Sequence, residues 1–93
     1  MKYFDWDKKK NEQLQEERDI NFEEVVIAIE EGKILDIVEH PHKERYPNQK
    51  VFIIDINHYA YLVPFVEDDE KIFLKTIIPS RKATMKYLIK SKH

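Results

Sequence analysis

The chain has 93 residues, 42% of them hydrophobic, with 16 Lys plus Arg against 18 Asp plus Glu and a formal net charge of -2. That length supports one domain around one core, and the absence of cysteine excludes disulfides, thiol nucleophiles and thiolate metal sites, in agreement with a reducing compartment. The near-neutral balance excludes a global field that steers the chain onto nucleic acid, so any RNA site must be a local patch.

No apolar run reaches the length of a membrane span, and Met1-Lys2-Tyr3-Phe4-Asp5-Trp6-Asp7 does not have the form of a signal peptide. A cytoplasmic protein with no membrane partner is expected. The same seven residues alternate loosely and predict a short strand closed by an Asx-type cap at Asp5 or Asp7. A first helix follows over Lys8 to Arg18. Leu14 is its only large apolar residue, so it can bury just a narrow stripe. Lys8, Lys9 and Lys10 crowd its positive end while Glu16 and Glu17 crowd its negative end, both opposed to the helix dipole. Lys10, Leu14 and Arg18 follow an i, i+4, i+8 spacing, so if Leu14 faces the core the two cations flank it at the rim. The competing reading is an ordinary solvated charged face.

Asn21 with Glu24 forms a capping-box-like start for a second helix, and Ile20 can staple against Val25. Phe22, Val25, Val26 and Ile29 give it a core face, and Gly32, the only glycine, falls where a left-handed helix end wants it. Four strands are then predicted: Ile34 to His40, Val51 to Ile56, Tyr59 to Val66 and Lys71 to Ile78. Pro41 to Lys50 is a polar loop, Asn57-His58 a tight hairpin turn, and Glu67 to Glu70 an acidic turn. Pro64 inside the third run argues for a bulge or an edge.

The last strand leads into a cationic helix from Arg81 to about Lys90, with Ala83, Met85, Leu88 and Ile89 weakly inward and a loose basic tail, Lys90-Ser91-Lys92-His93. Phe73, Leu74, Ile77 and Ile78 read as buried, Pro79 ends the strand, and Ser80 caps the helix. Arg81 and Lys82 in its first turn are the wrong sign for the dipole unless an anion sits there, so the junction reads as a phosphate-sized anion site or as cations pointing into water. The fold expected is a single α+β domain: a four-stranded antiparallel sheet plus a short N-terminal strand, two helices on one face and a C-terminal helix, with helices on one face of the sheet.

These residues resemble the BrnT-type toxins of bacterial type II toxin-antitoxin systems, which have the RelE-like fold. Phe4-Asp5-Trp6-Asp7 followed by Lys10-Asn11 is similar to the family's F-x-W-D-x-x-K-N opening. Ile20-Asn21-Phe22-Glu23-Glu24 resembles its I-S-F-E-E, and Ile77-Ile78-Pro79-Ser80-Arg81-Lys82-Ala83-Thr84 its I-I-S-A-R-K-A-T. The resemblance covers nearly the entire chain. It implies a small metal-independent ribonuclease without cofactor, held inactive by a cognate antitoxin, a small DNA-binding protein encoded next to it, in a dimer or hetero-oligomer that represses its own operon. Where the family reads N-x-x-K-H, this chain has Leu14, Glu17 and Arg18, so an arginine that cannot release its proton stands in place of a histidine.

Metal-free cleavage by a 2′-hydroxyl needs a base, cationic stabilisation of the crowded phosphate and an acid for the leaving group. Arg81, Lys10 and Arg18 are the candidates for the cationic role. For proton transfer the available groups are His40, His42, His58, a lysine, Glu39 and Tyr87, with His40 taken into the catalytic set. Lys8, Lys9, Lys82, Lys86 and Tyr87 are the expected RNA-binding residues. His40-Pro41-His42 also raises a zinc site, but no ligand spacing supports it and no metal is expected. Tyr46, Tyr59, Tyr61 and Phe65 either stack on bases or, at strand spacing, pack in the core. The alternative function is a non-catalytic module that uses the same fold to grip a protein partner.

Overall fold

Local signals set the two early helices. The computed structural model describes residues 2–89. Met1 and the predicted basic tail Lys90 to His93 lie outside the described residues. Asp7 is the cap of α1 (Lys8–Arg18), its carboxylate accepting the Lys10 N–H at 3.1 Å, whereas Asp5 accepts from Trp6 inside the first strand. Asn21 caps α2 (Phe22–Glu30) by accepting the Glu24 N–H at 2.9 Å. At the other end Gly32 adopts φ 77 and donates to Ile29 while Lys33 donates to Ala28, which satisfies two orphan carbonyls of the last turn. Asn11 ties the helices together: its side chain accepts the Phe22 N–H at 2.7 Å and donates to Glu23 at 2.9 Å.

The strands are β1 (Tyr3–Trp6), β2 (Ile34–Glu39), β3 (Gln49–Ile56), β4 (Tyr59–Glu67), β5 (Lys71–Leu74) and β6 (Ile78–Pro79). They form one six-stranded sheet in the order β1-β5-β4-β3-β2, with β6 pairing β4. β2 to β5 run antiparallel, as expected of consecutive strands joined by short turns, while β1 pairs β5 in parallel. Asn57 and His58 take φ 55 and 67, the two positive values a type I′ hairpin requires, and Asp55 accepts the His58 N–H.

Three expectations need correction. The predicted strand Lys71 to Ile78 is two strands, β5 and β6, with Pro79 inside the second. Across that break Ile77 is fully buried but Ile78 is 40% exposed. Pro64 makes neither a bulge nor an edge. It lies buried in a central strand, paired with Val51, at the interval between the β5 and β6 pairings, and its carbonyl accepts the Lys75 N–H at 2.8 Å. The missing N–H of proline therefore falls where the neighbouring strand is interrupted, and no ladder bond is lost. Finally, the helices are not all on one face.

Strand alternation separates two faces. Phe52, Ile54 and Ile56 of β3, with Val63 and Phe65 of β4, face α1 and α2 and pack with Leu14, Phe22, Val25, Leu74 and Ile77 in the main core. Trp6 stacks on Phe22 at 5.6 Å and Phe52 on Phe65 at 4.0 Å. The opposite face carries Ile53 and Ala60, and here the chain's last segment docks through Ala83, with Tyr87 and Leu88 beside it. That segment is α3 (Arg81–Thr84), only four residues long, continued by a π-helical turn over Met85–Ile89. The segment is short, and its Met85 and Ile89 stay about half exposed, so it covers only part of that face.

Candidate functional site

Apart from His40, the predicted residues fall into two places. On the helix-covered side, Leu14 is 1% exposed, which fixes the rotation of α1 and sets Lys10 and Arg18 on its flanks. The Arg18 guanidinium donates to the Ile77 carbonyl at 2.6 Å, joining residues 59 apart in sequence. Ile77 and Arg81 are separated by four residues, a chain reach of at most about 14 Å. Lys10 lies two helical turns from Arg18, about 12 Å along the axis. The Arg18 bond thus holds α1 against the β6-to-α3 junction, with Arg81 within that chain reach of Ile77 and Lys10 two turns away along α1. Lys10 and Arg81 form no side-chain hydrogen bond or ion pair among the described residues. Lys8 and Lys9 are exposed on the first turn of α1.

The junction itself is satisfied from within. Ser80 donates its N–H to the Ala60 carbonyl at 3.0 Å, and its side chain accepts from Ala83 at 3.1 Å. Thr84, buried, accepts the Ala60 N–H at 2.8 Å and donates to the Ser80 carbonyl at 2.8 Å. The expected backbone anion site is not supported, because a four-residue helix sums little dipole. Any anion there must be held by the Arg81 and Lys82 side chains. Of the two readings of Tyr61, base stacking or core packing, the structure shows it against the main core, and it also pairs with Pro79 across β4 and β6. Burial, with Glu24 and Tyr59 nearby, pushes its hydroxyl above the usual range, so it stays a protonated donor. No motif marks it; only the strand register brings it to the junction.

His40 is elsewhere. Its N–H donates to Gln49, which pairs with Val66, six positions along β4 from Ala60 and so about 20 Å along the sheet. Its ring packs on Tyr46 at 4.5 Å, and its Nδ1 accepts the His42 N–H at 3.0 Å. His40 is therefore not brought to Arg18 and Arg81. No group of three or more potential ligands that could hold a metal occurs among the described residues, and no helix among them is long and apolar enough to cross a membrane.

The second place is a groove on the opposite sheet face, where Lys82, Lys86 and Tyr87 lie. The Tyr87 hydroxyl donates to Asp36 at 2.6 Å, which pins the π-helical turn to β2. That bond, reinforced by the Ile37 N–H and by Lys86, holds the Asp36 carboxyl below its ordinary value. Lys86 sits 5.2 Å from the Tyr87 ring centre. The groove between this segment and the sheet has a volume of about 350 Å³ and is floored by Val38, Val51, Ile53 and Leu62. Sequence reading missed it, because Met85 and Ile89, expected to face inward, are instead 48% and 49% exposed.

The side chains that carry the family-like motifs mostly hold the fold: Asp7 caps, Trp6 stacks, Asn11 latches and Thr84 anchors. Lys10, Arg81 and Lys82 are motif positions with no such task among the described residues. Searches against protein-family models, curated proteins and solved structures return no match.

Proposed function

We propose that this protein is the toxin of a type II toxin-antitoxin system, a BrnT-type endoribonuclease of RelE-like fold that cuts RNA without a metal. The observation that carries the reading is the Arg18 hydrogen bond to the Ile77 carbonyl, which anchors a cation from α1 beside the junction that Arg81 opens. A guanidinium has five N–H donors, so one spent on a carbonyl leaves others for a phosphate. A strand of RNA lying across this corner meets Lys10, Arg18 and Arg81 in turn. In the reaction a 2′-oxygen attacks the adjacent phosphorus and loses its proton to a base. The bond to the 5′-oxygen breaks, and that oxygen takes up a proton. Arg18 and Arg81 offset the charge that builds on the phosphate. A cognate antitoxin masks this corner.

The second reading is a non-catalytic protein-binding module of the same fold. Two observations favour it: the Arg18 guanidinium does not release a proton, and the chain has a separate apolar groove. Incubation of RNA with the purified protein in EDTA, beside an Arg81→Ala variant, separates the readings. The ribonuclease reading expects cleavage by the wild type and a loss of about 10²-fold or more in the variant, with an unchanged melting midpoint. Undiminished cleavage by the variant removes Arg81 from the site. A wild-type protein that leaves RNA intact under every buffer tried turns the assignment to the binding module.

A further inference from the structure

We infer that the groove between the sheet and the π-helical turn is a docking site for a short acidic amphipathic segment of a protein partner. The inference holds whether or not the chain cleaves RNA. Val38, Val51, Ile53 and Leu62 form the groove's aliphatic floor, Val51 and Ile53 packed down to 5% and 6% exposure and Val38 and Leu62 half-buried, and the groove is of ligand-pocket size, about 350 Å³. Its walls differ in charge. On the β2 side Glu39 is neutralised by Lys43 at 2.9 Å, and Asp36 is engaged by Tyr87 at 2.6 Å. On the helical side stand Lys82 and Lys86, neither in an ion pair among the described residues. They are four positions apart, so their ammonium groups rise from the same wall about one helical turn from each other.

A ligand that matches this groove needs apolar groups on one side and anionic groups on the other. A peptide with apolar residues facing the floor and carboxylates facing Lys82 and Lys86 meets both demands. Nucleic acid meets them poorly. Bases stack on aromatic faces, whereas this floor is aliphatic and its one aromatic wall residue, Tyr87, already lies under Lys86.

The test uses the full chain with methyl groups isotopically labelled. The probes are a synthetic leucine- and glutamate-containing amphipathic peptide, a scramble of the same composition, a version with lysine for glutamate, and oligouridylate. The proposal expects the amphipathic peptide alone to shift the methyl signals of Val38, Val51, Ile53 and Leu62 while Val63 and Ile77, in the other core, stay in place. It expects the double variant Lys82→Glu/Lys86→Glu to weaken that binding about tenfold or more with an unchanged fold, and to favour the lysine version instead. Equal binding by the scramble, absence of shifts at the four floor methyls, or oligouridylate shifting them as strongly each overturns it. A failed RNA-cleavage assay leaves these outcomes untouched, so the two proposals fail separately.

Discussion

The two faces of the sheet are built from alternate residues of the same strands, yet they are finished differently. Under α1 and α2 the side chains of Phe22, Leu14, Ile54, Leu74 and Ile77 are excluded from water almost completely. On the other face Ile53, Ala60 and Ala83 make a small core beside an open groove. The first face is closed because α2 offers a full apolar stripe and α1 adds Leu14. The second stays partly open because the segment after Ser80 is short and leaves Met85 and Ile89 about half exposed instead of packed on the sheet. The contrast teaches that one face holds the domain together while the other, and the corner between them, remain free for recognition.

Phe22→Ala gives the hardest test of that division. It removes a fully buried ring that stacks on Trp6, and should cost about 3–5 kcal/mol in urea unfolding. A much smaller loss would mean that the helix-covered face is not where stability resides. Thr84→Val should cost less, about 1–3 kcal/mol, since it keeps the shape but leaves the buried Ala60 N–H without its acceptor. If unfolding is unaffected, the terminal segment is not fastened to the second face through this bond. The gentlest probe is Tyr87→Phe, read by titration of the Asp36 carboxyl. The Tyr87 hydroxyl, chiefly, holds the Asp36 carboxyl below its ordinary value of 3.8, so its contribution is fully present above that value and lost as pH falls through the lower folded value. The phenylalanine variant should raise the Asp36 pKa towards the ordinary range and loosen the π-helical turn; an unmoved titration curve would show that the bond does not hold the segment.

Much of this arrangement was legible because it rests on local signals. Asn21, Gly32 and the Asn57-His58 pair each announce a backbone geometry through their own side chains or lack of one. The spacing of Lys10, Leu14 and Arg18 likewise fixed which cations border the core once Leu14 was taken as buried. What escaped depends on partners far away in sequence. Ile77 and Ile78 are equally apolar, and only the interruption between β5 and β6 decides that one is buried and the other exposed. Arg18 meets a backbone carbonyl, and carbonyls leave no mark in a sequence. His40 looked available for chemistry because its type suits proton transfer, but the register of β2 on β3 carries it to the other end of the sheet. Which face the final segment covers could not be read from Ala83 and Leu88 alone.

The parallel pairing of β1 with β5 has a kinetic corollary. Tyr3 meets Lys71, and Trp6 meets Leu74, so the first strand finds its neighbour only after the intervening hairpins exist. Closing so long a loop is entropically slow, and on a ribosome Phe4 and Trp6 would wait, solvent-facing, for most of the translation of the chain. The single tryptophan stacks on Phe22 as well as pairing with Leu74, so its fluorescence reports the packing of β1 on both α2 and β5.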